Sequence, residues 1–162
     1  MKQLLLAACV LLLTTAGACA DSPVKGADQP AQLQGFTRDT LVIQRTEGRD
    51  TFRIWIADTD ARQEQGLMWV RNLAADQGML FILEAPRPMS MWMKNTYVPL
   101  DMLFLAADGR ITHIVYNAEP LSEEILSSAG EVSGVLEIRA GEAQRRGMKT
   151  GDRVLHAAFG TR

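Results

Sequence analysis

Three methionines alternate with other residues in the segment Met89-Ser-Met-Trp-Met93. On a β-strand, side chains two residues apart project from one face, so Met89, Met91 and Met93 would lie together while Trp92 points away. Thioethers are soft ligands that suit Cu(I). Methionine also fills irregular gaps in apolar cores. The segment therefore has two interpretations, core packing or a soft-metal (copper) site.

A polar cluster interrupts the most apolar part of the chain, residues 89–106. Lys94 and Asp101 would be costly to bury without partners, so they should pair, hydrogen-bond a turn or face a shared pocket. One interpretation is a ligand-binding pocket lined by Trp92, Lys94, Asn95 and Asp101. In the other, Asn95 and Thr96 hold a turn and Asp101 accepts the backbone N–H groups of that turn.

A glutamate lies between two apolar residues in the predicted strand that ends at Arg139. Glu137 in such a position is usually solvated or paired with an arginine, and Arg71 and Arg139 are the candidates. An enzyme would instead use Lys94, Asp101 or Glu137 as acid–base groups. The sequence offers no partner carboxylate for a general acid at Glu137, so we predict no catalytic residue.

The two histidines, His113 and His156, lie on separate predicted strands and are expected to be partly buried strand residues. No HxH or HExxH spacing occurs, so a zinc site is unsupported. The chain also lacks a G-x-S-x-G motif, a phosphate-binding loop and a dinucleotide fingerprint. We therefore expect no cofactor.

The composition is that of an ordinary globular domain. The 162 residues are 47% hydrophobic and 22% charged, and the formal net charge is −2. This length suits one domain. A weakly acidic chain has no electrostatic footprint for nucleic acid, and this charge by itself suggests no partner. The partner that we expect on other grounds is a small molecule or an envelope protein.

Hydrophobic patterning predicts mostly strands, with two short helices. Asp108-Gly109 is typical of a hairpin turn, and Gly48 of another. Residues 84–88 should break a strand, and residues 117–133 should form a long surface loop. The predicted fold class is mainly β (α+β), an antiparallel β-sandwich or open barrel with two short helices. The predicted strands are 40–44, 51–57, 78–83, 89–94, 100–106, 111–116, 134–139 and 152–158, and the predicted helices are 61–65 and 142–146.

The N-terminus has the pattern of a secretion signal. Lys2 is followed by an apolar run from Leu4 to Leu13, and Ala18-Cys19-Ala20 matches a small-x-small cleavage site. The run is shorter than the ~20 residues that span a bilayer. We predict a signal peptide at 1–20, a flexible leader at 21–38 and a single β-rich domain at 39–162.

Both cysteines, Cys9 and Cys19, lie inside the predicted signal. Cleavage after Ala20 would leave a periplasmic or secreted protein without thiol chemistry and without a transmembrane span. The segment Ala16-Gly-Ala-Cys19 also resembles a weak lipoprotein box, so lipid anchoring through Cys19 is the alternative.

Several short motifs occur in order along most of the predicted domain. With them the chain resembles the bacterial and archaeal family named domain of unknown function 192, over roughly residues 40–158. The resemblance implies a compact β-rich fold with two short helices, no known substrate and no catalytic residue to transfer. Met91 stands where the family commonly has an aromatic residue. The motifs are Gly66-Leu-Met68, Gly78-Met-Leu-Phe81, Trp92-Met-Lys-Asn-Thr96, Pro99-Leu-Asp101, Val135-Leu-Glu137, Ala140-Gly141 and residues 147–154.

These observations favour an exported, non-enzymatic envelope domain that binds a small ligand or a protein. The alternatives are an enzyme that uses Lys94, Asp101 or Glu137, and a copper-handling module that uses Met89, Met91 and Met93.

Overall fold

A computed structural model describes residues 30–161 of the chain. In this described range, seven strands and two short α-helices follow a 3₁₀ turn at Ala31–Leu33, and a second 3₁₀ turn at Ala157–Phe159 follows the last of these strands. The elements are β1 (Thr37–Arg45), β2 (Gly48–Ala57), α1 (Asp60–Gln65), β3 (Gln77–Met91), β4 (Leu100–Leu105), β5 (Ile111–Ala118), β6 (Leu126–Arg139), α2 (Glu142–Arg145) and β7 (Arg153–Leu155).

The strands form one sheet in the order β5-β4-β6-β3-β2-β1-β7. Among the described strands, β2 and β3 pair in parallel and the other neighbours are antiparallel. The sheet curls until its two edge strands, β5 and β7, come together at one point. There Arg110 forms a β-bridge with Arg153, and the Ile111 N–H donates to the Asp152 carbonyl at 2.8 Å. Of the two predicted architectures, the structure is therefore the open barrel.

Each face of the sheet has its own apolar core, as the alternation of side chains on a strand requires. On β6, Leu136 and Ile138 belong to one core. Val135 belongs to the other core, which also contains Trp55 and Met79. Glu137 projects from the same face as Val135, so its carboxyl points toward this second core.

Two loop predictions were wrong. β3 does not break at residues 84–88 but continues to Met91, with register shifts between Ile82 and Arg87 and between Pro88 and Ser90. Prolines are compatible with strands at such irregularities, because no ladder N–H is needed there. Part of the predicted loop 117–133 is also strand, since β6 begins at Leu126 and pairs with this extension of β3.

The predicted leader overlaps the described domain at residues 30–38. Leu33 and Phe36 are buried in the core on the Glu137 side. The Gln32 carbonyl accepts a hydrogen bond from Gln65 of α1 at 2.5 Å. The folded domain therefore begins before residue 39, because Leu33 and Phe36 are already part of its core. The predicted signal, 1–20, and residues 21–29 lie outside the described residues.

Within residues 30–161, no helix has the length and apolar character that crossing a membrane would require.

Candidate functional site

A cleft opens between the end of α1 and the end of β3. Helix α1 begins at its N-cap Thr59, whose hydroxyl accepts the Arg62 N–H at 3.4 Å, and it ends at Gly66. Gly66 has φ 49°, and a Cβ there would lie 3.2 Å from the Phe81 ring. Glycine thus lets the chain turn sharply while lying directly on β3, which places Leu67 and Met68 along one wall.

The opposite wall is the end of β3 and the segment that follows it. Met89 and Met91 pack against the core on the Glu137 side, while Trp92 is exposed. The Lys94 ammonium lies 5.2 Å from the centre of the Trp92 ring, a cation–π arrangement at the mouth of the cleft.

Glu137 forms part of the floor. It is only 4% exposed, and no other residue in the described range 30–161 donates a hydrogen bond to its carboxyl group or forms an ion pair with it. It lies opposite Met79 of β3 on one side and Met102 of β4 on the other, and both methionines are fully buried. Burial raises the pKa of Glu137 from 4.5 to about 8. The carboxyl is therefore mostly protonated at neutral pH.

The sheet register extends this row of side chains by one strand. Met79 pairs with Trp55 of β2, whose buried indole Nε1–H also has no hydrogen-bond partner among the described residues. Buried polar groups in folded proteins are nearly all hydrogen-bonded. The unpaired Trp55 indole is therefore unusual, and it lies on the same face of the sheet as Glu137, two strands away.

The cavity above Glu137 has a volume of about 70 Å³. A buried water needs about 10–15 Å³ on this scale, so there is space for several waters or for a small ligand group. We call this site the Glu137 cleft. It is lined by Gln63, Glu64, Gln65, Gly66, Leu67, Met68, Phe81, Met89, Ser90, Met91, Trp92, Lys94, Thr96 and Glu137.

The structure brings two of the four predicted pocket residues into this cleft, Trp92 and Lys94. Asn95 lies beside it, with φ 56°, and its side-chain amide donates to the Met68 sulfur at 3.8 Å. Asn95 thus supports a wall residue and does not line the cavity.

Asp101 lies elsewhere and has a structural contact pattern. It is fully buried, and its two carboxylate oxygens accept the backbone N–H groups of Asn117 and Ala143, each at 2.9 Å. The carboxylate thus joins the start of β4 to the end of β5 and to α2. This agrees with the second interpretation, although the N–H groups come from distant segments and not from the nearby turn.

Of the three methionines proposed for copper, Met89 and Met91 line the cleft and Met93 does not. All three side chains contact the same core, as the alternation predicts, and Met93 is fully buried within it. Trp92 joins the cleft despite the expected opposite orientation, because β3 ends at Met91 and strict alternation ends with it.

The expectation that Glu137 is solvated or paired with an arginine was wrong. Arg71 lies over the Tyr97 ring at 4.4 Å, and Arg139 is exposed. The residues beside Glu137 on the neighbouring strands are methionines, and no arginine in the described range 30–161 forms an ion pair with its carboxyl.

The histidines are separate from the cleft. His113 is half-buried and stacks on Phe104 with ring centres 5.7 Å apart. His156 follows β7 and caps the second 3₁₀ turn, where its Nδ1 accepts the Ala158 N–H, and its Nε2 lies 3.2 Å from the Asp39 carboxylate. Across the described residues, no three His, Cys, Asp or Glu side chains are grouped so as to hold a metal ion.

Sequence reasoning missed the α1 side of the cleft, above all Met68 and the segment 63–66. The Gly66-Leu-Met68 motif was visible, but nothing local shows that it faces the end of β3. The alternation on β6 could have predicted the floor of the cleft, because it places Glu137 on the same face as the apolar Val135. A carboxylate on a buried face is unfavourable unless it has a specific role.

Comparison with known proteins places the chain in a family. The model for domain of unknown function 192, described as an uncharacterized ACR, matches residues 42–156. The chain belongs to this family. None of the curated proteins compared with it matches.

Two solved structures resemble this member of the family closely. A candidate transcription regulator from Sinorhizobium meliloti 1021 has 43% identity and a TM-score of 0.74, and the alignment covers 76% of this chain and 96% of that one. A protein of unknown function from Novosphingobium aromaticivorans DSM 12444 has 36% identity and a TM-score of 0.74, with 81% and 100% coverage. The fold is therefore that of its relatives, and its function is uncharacterised.

Proposed function

We propose that this protein is an exported, non-enzymatic domain that binds a small ligand in the Glu137 cleft. The observation that carries the proposal is the carboxyl of Glu137, which is buried at the floor of an open cavity and has no hydrogen-bond or ion-pair partner among residues 30–161. A buried carboxyl of this kind destabilises a fold unless something compensates it, and ligand-binding sites commonly contain such groups.

The chemistry of the cleft limits what it can bind. The protonated carboxyl can donate a hydrogen bond to a ligand acceptor, and its ionised form can hold a cation. Thioether and aromatic walls favour apolar or polarizable groups. Trp92 and Lys94 at the mouth offer a stacking surface and a positive charge. A compact ligand with one polar end fits this arrangement.

A thermal-shift screen of the purified protein against envelope metabolites, peptidoglycan fragments and metal ions tests the proposal. We expect at least one compound to raise the melting temperature of the wild type and of Glu131→Gln, but not of Glu137→Gln. Glu131 is a matched control, because it lies on the same strand and is exposed. If no compound is found, or if both variants respond equally, the cleft is not the site.

Acid–base catalysis is the second candidate function. The observation that favours it is a carboxyl with a pKa near neutrality in the same cavity as Lys94. Asp101 has no part in it, since both of its oxygens already accept backbone N–H groups. Turnover of a screened compound by the wild type that is lost in Glu137→Gln would replace the binding proposal with this one.

Export is supported by the charge, apolar run and cleavage pattern of residues 1–20. The intact mass of the protein recovered from cells tests it. We expect a mature chain that begins at Asp21, or at an acylated Cys19 if the lipoprotein box is used. Recovery of only the uncleaved chain would contradict export through a cleaved signal.

A further inference from the structure

Three thioether side chains lie around the Glu137 cleft, and they come from two separate segments. Met89 and Met91 belong to β3, and Met68 follows α1. The sequence pattern alone points to Met89, Met91 and Met93, but Met93 is buried outside the cavity. In the folded protein, Met68 takes the place that the pattern assigns to Met93.

We propose that the Glu137 cleft is a soft-metal site for Cu(I), with Met68, Met89 and Met91 as thioether ligands and Glu137 as the anionic ligand at the floor. This inference rests on the proposed function, because it names the ligand of the same cleft.

The thioethers account for the choice of a soft ion. Sulfur ligands select Cu(I), whereas carboxylate and carbonyl oxygens suit Mg²⁺ and Ca²⁺. Between residues 30 and 161, no three His, Cys, Asp or Glu side chains are grouped so as to hold a metal ion.

The carboxylate accounts for the charge. Three neutral thioethers would leave a single positive charge uncompensated in an apolar cavity, which is strongly unfavourable. Among the described residues that line the cleft, Glu137 has the only buried carboxyl. When the ion binds, this carboxyl releases its proton to solvent and supplies one negative charge, so a monovalent ion and its four ligands form a neutral group. The Lys94 ammonium at the mouth disfavours a divalent ion more strongly, since the repulsion scales with the charge of the ion.

The ligands are placed so that an ion can reach them and they can converge. Met68 and Met89 are half-buried beside the opening, and Met91 is 7% exposed on the wall. Asn95 donates to the Met68 sulfur and so holds this side chain at the cleft, while a thioether keeps a second lone pair for a metal. Methionine has three rotatable bonds, so the side chains that line this cavity of about 70 Å³ can adjust their rotamers to a shared ion.

Competition titration with a chromophoric Cu(I) chelator, without oxygen, tests the inference, and Ag(I) serves as a redox-stable second probe. The wild type should bind one equivalent of each ion. Met68→Leu and Met91→Leu should each weaken binding about tenfold or more, and Glu137→Gln should weaken it as well. Met93→Leu is the matched control, with the same substitution and a buried side chain outside the cavity, and it should bind like the wild type.

Two results would overturn the metal site: equal weakening in Met93→Leu and Met91→Leu, or equally weak binding in all variants, which indicates adventitious binding only. Leucine and methionine have similar volumes, so these variants should remain folded, and circular dichroism checks this. If the metal titration fails but an organic compound stabilises the wild type and not Glu137→Gln, the metal inference is wrong and the proposed function stands. If both experiments fail, both are wrong.

Discussion

Glu137 lies directly opposite Met79 in the antiparallel pairing of β3 with β6. Met102 flanks it on the other side, so the carboxyl stands between two fully buried thioethers. Burying a carboxyl group in this setting lowers the stability of the fold. Unlike Asp101, Glu137 accepts no backbone hydrogen bonds from other described segments that would offset this. We attribute its presence to binding, and several measurable consequences follow from this arrangement.

The first consequence is a pH dependence of stability. Below pH 4.5 the carboxyl of Glu137 is protonated in both the folded and the unfolded chain, so its contribution is at its most favourable. Between pH 4.5 and about 8 only the unfolded chain ionises, so the free energy of unfolding falls as the pH rises. The total loss is about 5 kcal/mol, and it is complete above the folded pKa.

Urea unfolding of the wild type and of Glu137→Gln from pH 4 to pH 9 measures this dependence. The difference in free energy of unfolding between the two proteins should change steadily from pH 4.5 to about pH 8 and level off above it. Arginines lower the pKa values of Glu142 and Asp76, so the stability from these groups is lost on acidification below their ordinary pKa values. Both proteins contain these two groups, so this loss on acidification cancels when their free energies of unfolding are subtracted. Parallel curves for the two proteins would contradict the raised pKa.

Replacing the carboxyl with an apolar side chain should stabilise the fold. Glu137→Met continues the row of methionines and removes the desolvation penalty, which should raise the free energy of unfolding at pH 8 by about 1–4 kcal/mol. The gain should shrink at pH 4.5, where the wild-type carboxyl is already neutral. Denaturant unfolding at both pH values checks this, and a loss of stability at pH 8 would show that Glu137 has a structural partner.

Replacement of Asp101 should destabilise the fold, in contrast to the stabilisation expected for Glu137→Met. Asp101→Asn leaves one of two buried backbone N–H groups facing an amide, so we expect a loss of about 2–4 kcal/mol in unfolding free energy. Asp108→Asn is the control, because Asp108 is in an exposed ion pair with Arg153 at 2.9 Å and should lose about 1 kcal/mol or less. Ligand affinity of folded Asp101→Asn should stay unchanged, and loss of binding in the folded variant would return Asp101 to the site.

Two strand glycines give a matched test of how closely β3 approaches β6. A Cβ at Gly78 would collide with the backbone carbonyl oxygen of Glu137, whereas a Cβ at Gly130 would meet nothing within 4 Å. Gly78→Ala should therefore lose about 3 kcal/mol or more, and Gly130→Ala should change stability by less than about 1 kcal/mol. Thermal unfolding of both variants decides this, and similar melting temperatures would be inconsistent with the close approach.

The mainly β fold and the two short helices could be predicted because their signals are local. The cap at Thr59, the turn at Gly48 and the alternation of β2 each depend on a few adjacent residues. The extension of β3 through Pro86 and Pro88 could not be predicted from the sequence. It depends on pairing with β6, which is about forty residues away in the chain.

The site was predictable only in part, for the same reason. Trp92 and Lys94 are near each other in sequence and share the cleft. Met68 and Glu137 reach it only through the path of the chain after α1 and the placement of β6 between β3 and β4. Asp101 looked like a pocket residue because a buried aspartate and a ligand-binding aspartate have the same sequence signature.

The side-chain ¹³C carboxyl resonance of Glu137, followed from pH 4 to pH 10, tests most directly whether the cleft contains an uncompensated carboxyl. We predict a midpoint near 8, and a change in this resonance when any stabilising ligand or Ag(I) is added. A midpoint near 4.5, or a resonance that no such ligand affects, would contradict the assignment of Glu137 as the centre of the binding site.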